Sequence, residues 1–489
     1  AYWVDLNFGN GTPGFPNGSG ENQNWVLGLR GTFIASNAAT GFLYPSVQAA
    51  VNSATNNYTV FALDNITNEL VVSGKTNLTI VANAWLTNGP AALRTLSGVG
   101  IGSGFLVSNS EAVTIQGFIV TNFDHGVRFV GATRYHQVLN NLFLSNRVSG
   151  IFLDSTMSYI TNMSNTVIAS WHGILMSYSH HDFAFSNALV GNTNGISVID
   201  GAYSNEVYGN LVYSNFSGIW MSNASTNFVA FNGVSSNYGG LAGPALMVGY
   251  GSRDNHVASN TISGPLHWYG IHVYLSSVSN RILSNHLYDN NAGGYAIRVG
   301  SANENTIAGN EVRSNGNFSV GIIVNASSMG TRVLGNRVWG SNQDVGIKLD
   351  SGARFSTVAS NTVFMNRSTG IEIYNCSDNW VISNSVYANA GRGIRTLATP
   401  AVYVFWNHIV GNRVWGSGQT NGIVIGLGSM SNDILSNTVT GNLGAGIQLI
   451  GATNNLVGSN AVSGNLALGI VLVNASLSNT VTNNLVLQN

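Results

Sequence analysis

The sequence predicts an all-β solenoid, a right-handed single-stranded parallel β-helix of about 17 coils, each about 24 residues long with three short strands. Two repeats predict it. A Gly-Ile-like pair followed by alternating apolar residues recurs at Gly126-Val127, Gly150-Ile151, Gly173-Ile174, Gly195-Ile196, Gly218-Ile219, Gly270-Ile271, Ala296-Ile297, Gly321-Ile322, Gly346-Ile347 and onward to Gly469-Ile470, with Ala245-Leu246 filling the one gap, in steps of 22 to 29 residues. Between these pairs runs an Asn-punctuated pattern, as in Asn205, Asn210 and Asn215, Asn280, Asn285 and Asn290, or Asn455, Asn460 and Asn465. Composition agrees with both. Only 8% of the 489 residues are charged, whereas 44% are hydrophobic, so a large core is available and the polar surface must be built from Asn, Ser, Thr and Gly.

Each period holds three strands with alternating patterning and no helical segment between them, which excludes leucine-rich and βαβ solenoids. Asn and Gly suit the corners because both tolerate positive φ, and stacked Asn side chains can hydrogen-bond in ladders from coil to coil. Parallel coils stack at about 4.8 Å, so the stack is expected to form a rod of roughly 80 Å. Within each Gly-Ile strand, the Ile and the residue two beyond point inward; the residues one and three beyond point outward.

On this pattern the chain resembles the right-handed parallel β-helix repeat proteins of the pectate-lyase-like superfamily, especially its NosD-type repeats. The resemblance covers about residues 45–489. It implies fold more than function, because that superfamily includes lyases, glycosidases, epimerases, tail spikes and adhesins. The family's catalytic motifs are not found. Asn192-Thr193-Asn194 carries an amide where a polygalacturonase motif has its acid, and no Asp-Pro-His-Glu run of the mannuronan epimerases occurs. Neither a catalytic set nor a cofactor is expected, and no resident metal. The NosD resemblance raises copper delivery, which would need His, Met or Cys clusters.

Two regions divide the chain. Residues 45–489 form the β-helix domain. It opens on Tyr44–Asn52, read as a short capping helix with Ser46 as N-cap and Val47, Ala50 and Val51 on one face. Residues 1–44 are an N-terminal arm. Tyr2, Val4, Leu6 and Phe8 alternate with polar or outward residues like a strand, Gly9–Asn24 reads as a flexible linker, and Trp25–Ile34 suggests further strand. The last repeat, Asn479–Asn489, ends without a capping helix. An arm strand could therefore cover the open end of a neighbour, giving head-to-tail self-association and filaments. The competing expectation is that residues 1–8 fold back on their own stack.

Other partners are bounded by charge. The net charge of −1 and the absence of a basic patch argue against nucleic acid, and no apolar run is long enough for a membrane span. The lone Cys376 excludes an internal disulfide framework. The chain begins at Ala1, as a chain processed after export or otherwise trimmed would. Thirteen Asn-x-Ser/Thr sequons, at Asn10, Asn17, Asn57, Asn65, Asn77, Asn162, Asn215, Asn223, Asn317, Asn325, Asn366, Asn375 and Asn474, favour a glycosylated, secreted or cell-surface protein. Sparse charge further predicts stability that changes little with pH and tolerates acid.

Chemistry is sought on the outward face of the Gly-Ile strands. There Trp220, His272, Tyr274, Lys348, Asp350, Glu372, Tyr374 and Arg395 gather aromatics and a share of the few charges. They predict either an ion ladder with a structural role or a polysaccharide-binding face on which Trp220, Tyr274 and Tyr374 stack against sugar rings. No pair of facing carboxylates suited to glycoside cleavage is legible. A second cluster, Asp124, His125, Arg128, Asp154, Trp171, His172, His180, His181, Asp182 and Asp200, falls on about four adjacent coils. Its His125 and His172 hold equivalent places two coils apart, about 10 Å, which is too far to share one zinc ion. The first-ranked reading is a structural or surface protein; a carbohydrate-binding or polysaccharide-cleaving one is the alternative.

Overall fold

Each coil of the computed structural model reads as three strands and three corners. Residues 35–39, 41–82, 94–154, 158–290, 293–399 and 402–489 are described. One coil runs Ser217–Ser222, Phe228–Ala230, Gly233–Ser235 before the chain returns one level higher. Like strands pair in parallel with the next coil, Ile219 opposite Leu246, Val229 opposite Val257 and Val234 opposite Ile262. Repetition gives three parallel sheets and a right-handed β-solenoid of about 17 turns. We call them the first (Gly-Ile), second and third sheets, in the order the chain visits them.

The inward side chains form one continuous core. Ile271 and Val273 of the first sheet, Val257 of the second and Ile262 of the third are all fully buried. The Gly of each Gly-Ile pair has a steric cause. A Cβ at Gly346 would overlap Val363 Cγ1 of the third sheet and the Gly370 carbonyl of the next coil, and Gly370, Gly422 and Gly446 face the same obstruction. Glycine therefore lets the first sheet meet the third at this corner. Gly and Ile are both buried, so the in–out alternation breaks there, and Tyr269, directly before Gly270, is partly exposed.

The recurrent Asn residues do something different from what corner preferences predict. The left-handed residue is the one before each of them, Ser204, Gly209 and Ser214 preceding Asn205, Asn210 and Asn215. The Asn side chains are buried and form ladders. Asn260 donates from both its backbone N and its Nδ2 to Asn285 Oδ1, at 2.9 Å each, and Asn285 does the same to Asn310. Each Nδ2 also reaches a carbonyl, Asn285 bonding Val257 at 2.9 Å. The ladders thus satisfy backbone donors that the corners would otherwise leave buried and unpaired.

The capping helix forms as the sequence predicts, over Val47–Ser53, with Ser46 accepting from Ala49 N at 3.0 Å and Val47, Ala50 and Val51 buried. Ala35–Asn37, within the segment read as the arm, pairs antiparallel with Thr59–Ala62, so sheet structure begins before residue 45. Tyr2, Val4, Leu6, Phe8, the Gly9–Asn24 stretch, Trp25–Ile34 and the sequons at Asn10 and Asn17 lie outside the described residues.

Candidate functional site

The outward face of the first sheet carries the candidate site. Register places Trp220, Met247, His272, Arg298, Ile323, Lys348, Glu372 and Arg395 in one row along the rod. Two clusters emerge, separated by the apolar Ile323.

In the first, aromatic rings pack on one another. Trp220 stacks near Tyr250, with centroids 6.3 Å apart, and Tyr250 meets Tyr274 edge-on at 5.8 Å. His272 lies between Tyr269 at 4.3 Å and Tyr274 at 4.8 Å. Arg298 donates to the Tyr269 hydroxyl at 2.8 Å and to Asn325 Oδ1 at 3.2 Å. Burial, and then the Arg298 charge, lowers the His272 pKa to about 3, so its imidazole is neutral at any ordinary pH. Sequence reasoning missed Tyr250, Tyr269 and Tyr295. Tyr250 is a left-handed corner residue, and the other two precede the Gly-Ile break, where strand alternation does not apply.

In the second cluster the charges close on themselves. Lys348 Nζ lies 3.1 Å from Asp350 and 3.3 Å from Glu372, and Arg395 approaches the other Glu372 oxygen at 3.6 Å. Ser351 donates to the remaining Asp350 oxygen at 2.9 Å. The Lys348 ammonium also sits 4.6 Å from the centre of the Tyr374 ring. Burial works to lower the Lys348 pKa; the Glu372 and Asp350 carboxylates outweigh it and hold the ammonium above the lysine range. Five of the eight predicted residues thus meet in one network. It is no exposed ion ladder, since the Glu372 side chain is only 10% accessible.

The second predicted cluster does not assemble into one site. Arg147 pairs with Asp124 at 2.7 Å and Arg128 with Asp154 at 3.6 Å. His125 and His172 do sit two coils apart, bonded at 2.8 Å to Ser149 and Ser197, both of which are buried. Burial lowers both imidazoles to about 4, and that of buried His136 likewise. Asp182 takes an Asn place in a ladder, where it accepts from Ile160 N at 2.8 Å, and burial raises it to about 7. These groups argue against the expected insensitivity to acid, because few titrating groups still matter when they are buried.

Among the sequons, Asn162, Asn215 and Asn366 are buried inside the solenoid, so the folded chain offers no attachment there. Asn57, Asn65, Asn77, Asn223, Asn317 and Asn474 are exposed, and Asn325 and Asn375 are half-buried.

Fold and site together define the class, a parallel β-helix repeat protein with an aromatic and ionic outer face. The family model described as periplasmic copper-binding protein (NosD) matches residues 93–264, 272–414 and 401–489, and the chain belongs to that family. No curated protein sequence matches it. Solved structures similar to it include DFA-IIIase from Arthrobacter chlorophenolicus A6 in complex with GF2, 13% identical, TM-score 0.44, covering 56% of this chain and 81% of that one. The Azotobacter vinelandii mannuronan C-5 epimerase AlgE4 A-module is 12% identical, TM-score 0.41, covering 67% and 86%. The periplasmic alginate epimerase AlgG is 11% identical, TM-score 0.33, covering 88% and 85%.

Copper, which the family description carries, does not fit the described residues. No three His, Cys, Asp or Glu side chains gather among them. Cys376 is a buried thiol donating to the Tyr374 carbonyl, and burial pushes its pKa up, away from the thiolate a metal takes. His180 and His181 hold their Nδ1 atoms 3.0 Å apart, but among the described residues no third ligating side chain joins them. Nor does any helix among the described residues have the length and apolarity to cross a membrane.

Proposed function

We propose that this protein is an extracytoplasmic structural β-helix that acts by presenting surfaces and not by turnover. One observation carries the reading. The carboxylates of the candidate face are fully engaged, Glu372 between Lys348 and Arg395 and Asp350 between Lys348 and Ser351. A general acid needs a carboxyl kept protonated, and a general base needs a free lone pair aimed at substrate. Carboxylates clamped by cations supply neither, and serve instead to bind coil to coil. Secretion and glycans at the exposed sequons belong to the same proposal. The head-to-tail contact through Tyr2, Val4, Leu6 and Phe8 is a separate expectation, on which this reading does not depend.

The test is incubation with acidic and neutral polysaccharides while chain length and new reducing ends are followed. No turnover is expected. Turnover abolished by Glu372→Gln or Asp154→Asn would overturn the proposal. A second reading, glycan binding on this face, is favoured by the Trp220–Tyr250–Tyr274 row. Trp220→Ala with Tyr274→Ala should then weaken oligosaccharide binding without unfolding the stack.

A further inference from the structure

The second sheet bears a groove that differs in kind from the Gly-Ile face. It encloses about 980 Å³ and crosses successive coils from Phe228 to Phe355. Its shape comes from alternating side-chain size. In the left-handed corner row, Asp254 and Glu304 alternate with the small Ser279 and Gly330. In the adjoining strand row, Arg281 and Arg332 alternate with the short Thr306. Acid and guanidinium are thus offset by one coil, and each recurs every second coil, a repeat of about 10 Å.

These four charges are exposed, and among the described residues none of them makes an ion pair or a side-chain hydrogen bond. That contrasts with Lys348, Glu372 and Arg395, which neutralise one another. Sparse charge makes the contrast informative, because the whole chain has only 18 Lys and Arg. A guanidinium forks onto a carboxylate, and an exposed carboxylate accepts hydrogen bonds from hydroxyls. His256 is half-buried beside Arg281 and Asp254, where burial and then the Arg281 charge lower its pKa, and its neutral imidazole can donate or accept. Phe355, 49% exposed at one end, offers an apolar face for a sugar ring.

We propose that this groove binds an extended acidic polysaccharide lying along the rod axis, with one carboxylate per disaccharide. Its carboxylates meet Arg281 and Arg332, and its hydroxyls meet Asp254 and Glu304. The coil spacing is comparable to the advance per sugar of an extended hexose polymer, so alternate sugars fall on alternate coils. The acidic row sets the charge density, since a polymer charged on every sugar would place anions against Asp254 and Glu304. The same repulsion disfavours a polyphosphate.

The experiment is a calorimetric titration of the full chain at low salt with three probes. They are an oligosaccharide alternating glucuronate and N-acetylhexosamine, a polyuronate of equal length, and a neutral oligosaccharide. The alternating probe should bind tightest, and Arg281→Gln with Arg332→Gln should weaken it about tenfold or more. Arg413→Gln on the third sheet, where Arg413 sits over Trp415, should leave it unchanged. Thr306→Trp fills the groove while keeping every charge, and should also abolish binding; melting curves establish that each variant is folded. Equal affinity of the double variant and the parent chain, tighter binding of the polyuronate, or no binding of the alternating probe would overturn the proposal. Cleavage of a bound probe would overturn the structural reading above and leave the groove standing.

Discussion

At the residue scale, the buried polar groups decide stability. Asn285→Ala would leave the buried Asn260 backbone N–H without its partner and remove the side-chain bond to the Val257 carbonyl, and should cost about 1–3 kcal/mol in denaturant unfolding. The buried titrating groups give the protein a pH profile whose sign differs between residue types. His125, His136, His172 and His272 are held below the unfolded value, so their contribution is present above about pH 6.5 and is lost as pH falls toward 4. Asp182 is held above its unfolded value, so its contribution is present in acid and lost as pH rises through about 7. The four histidines outweigh one aspartate, and melting temperature should fall between pH 6.5 and 4. Asp182→Asn should raise the melting temperature at pH 8 and raise it less at pH 5; no gain at pH 8 would contradict the burial argument.

At the element scale, the Gly-Ile motif is a packing device. Gly346→Ala should destabilise the fold by about 1–3 kcal/mol by driving a methyl into Val363 and the Gly370 carbonyl. Gly418, where a Cβ would meet nothing within 4 Å, should tolerate the same change or gain slightly. The repeat was legible because periodicity reports burial directly, and Val47, Ala50 and Val51 were legible because a helical face and a Ser cap are local signals. The coil-to-coil Asn ladder was expected too; what the sequence hid was which side chains the register brings together on the outer faces. The Asn ladder explains the Asn repeat better than corner conformation does, since Ser204 and Ser214 take the left-handed turn themselves. Tyr269 and Tyr295 were hidden by the break in alternation at Gly270 and Ala296. No sequence motif singles out Arg281 and Arg332; register sets them in one row with Thr306 between.

At the scale of the whole molecule, the three sheets present different surfaces. The first gathers Lys348, Asp350, Glu372 and Arg395 into one ion network. The third carries stacked rings, Trp339, Phe364, Tyr387 and Trp415, whose neighbouring centroids lie 4.5 to 5.4 Å apart and whose faces cover one another. The second leaves four charges open in a groove. On the proposals made above, a rod whose coils are fixed by ladders and ion pairs, with an open polar groove along its side, holds a polymer in register and does not cut it. That claim is tested most directly by one measurement. A labelled polymer of alternating glucuronate and N-acetylhexosamine is incubated with the full chain and resolved by size-exclusion chromatography, before and after denaturing the protein. The account predicts co-elution with the rod and recovery at full length. Polymer eluting free, or recovered in shortened form, would contradict it.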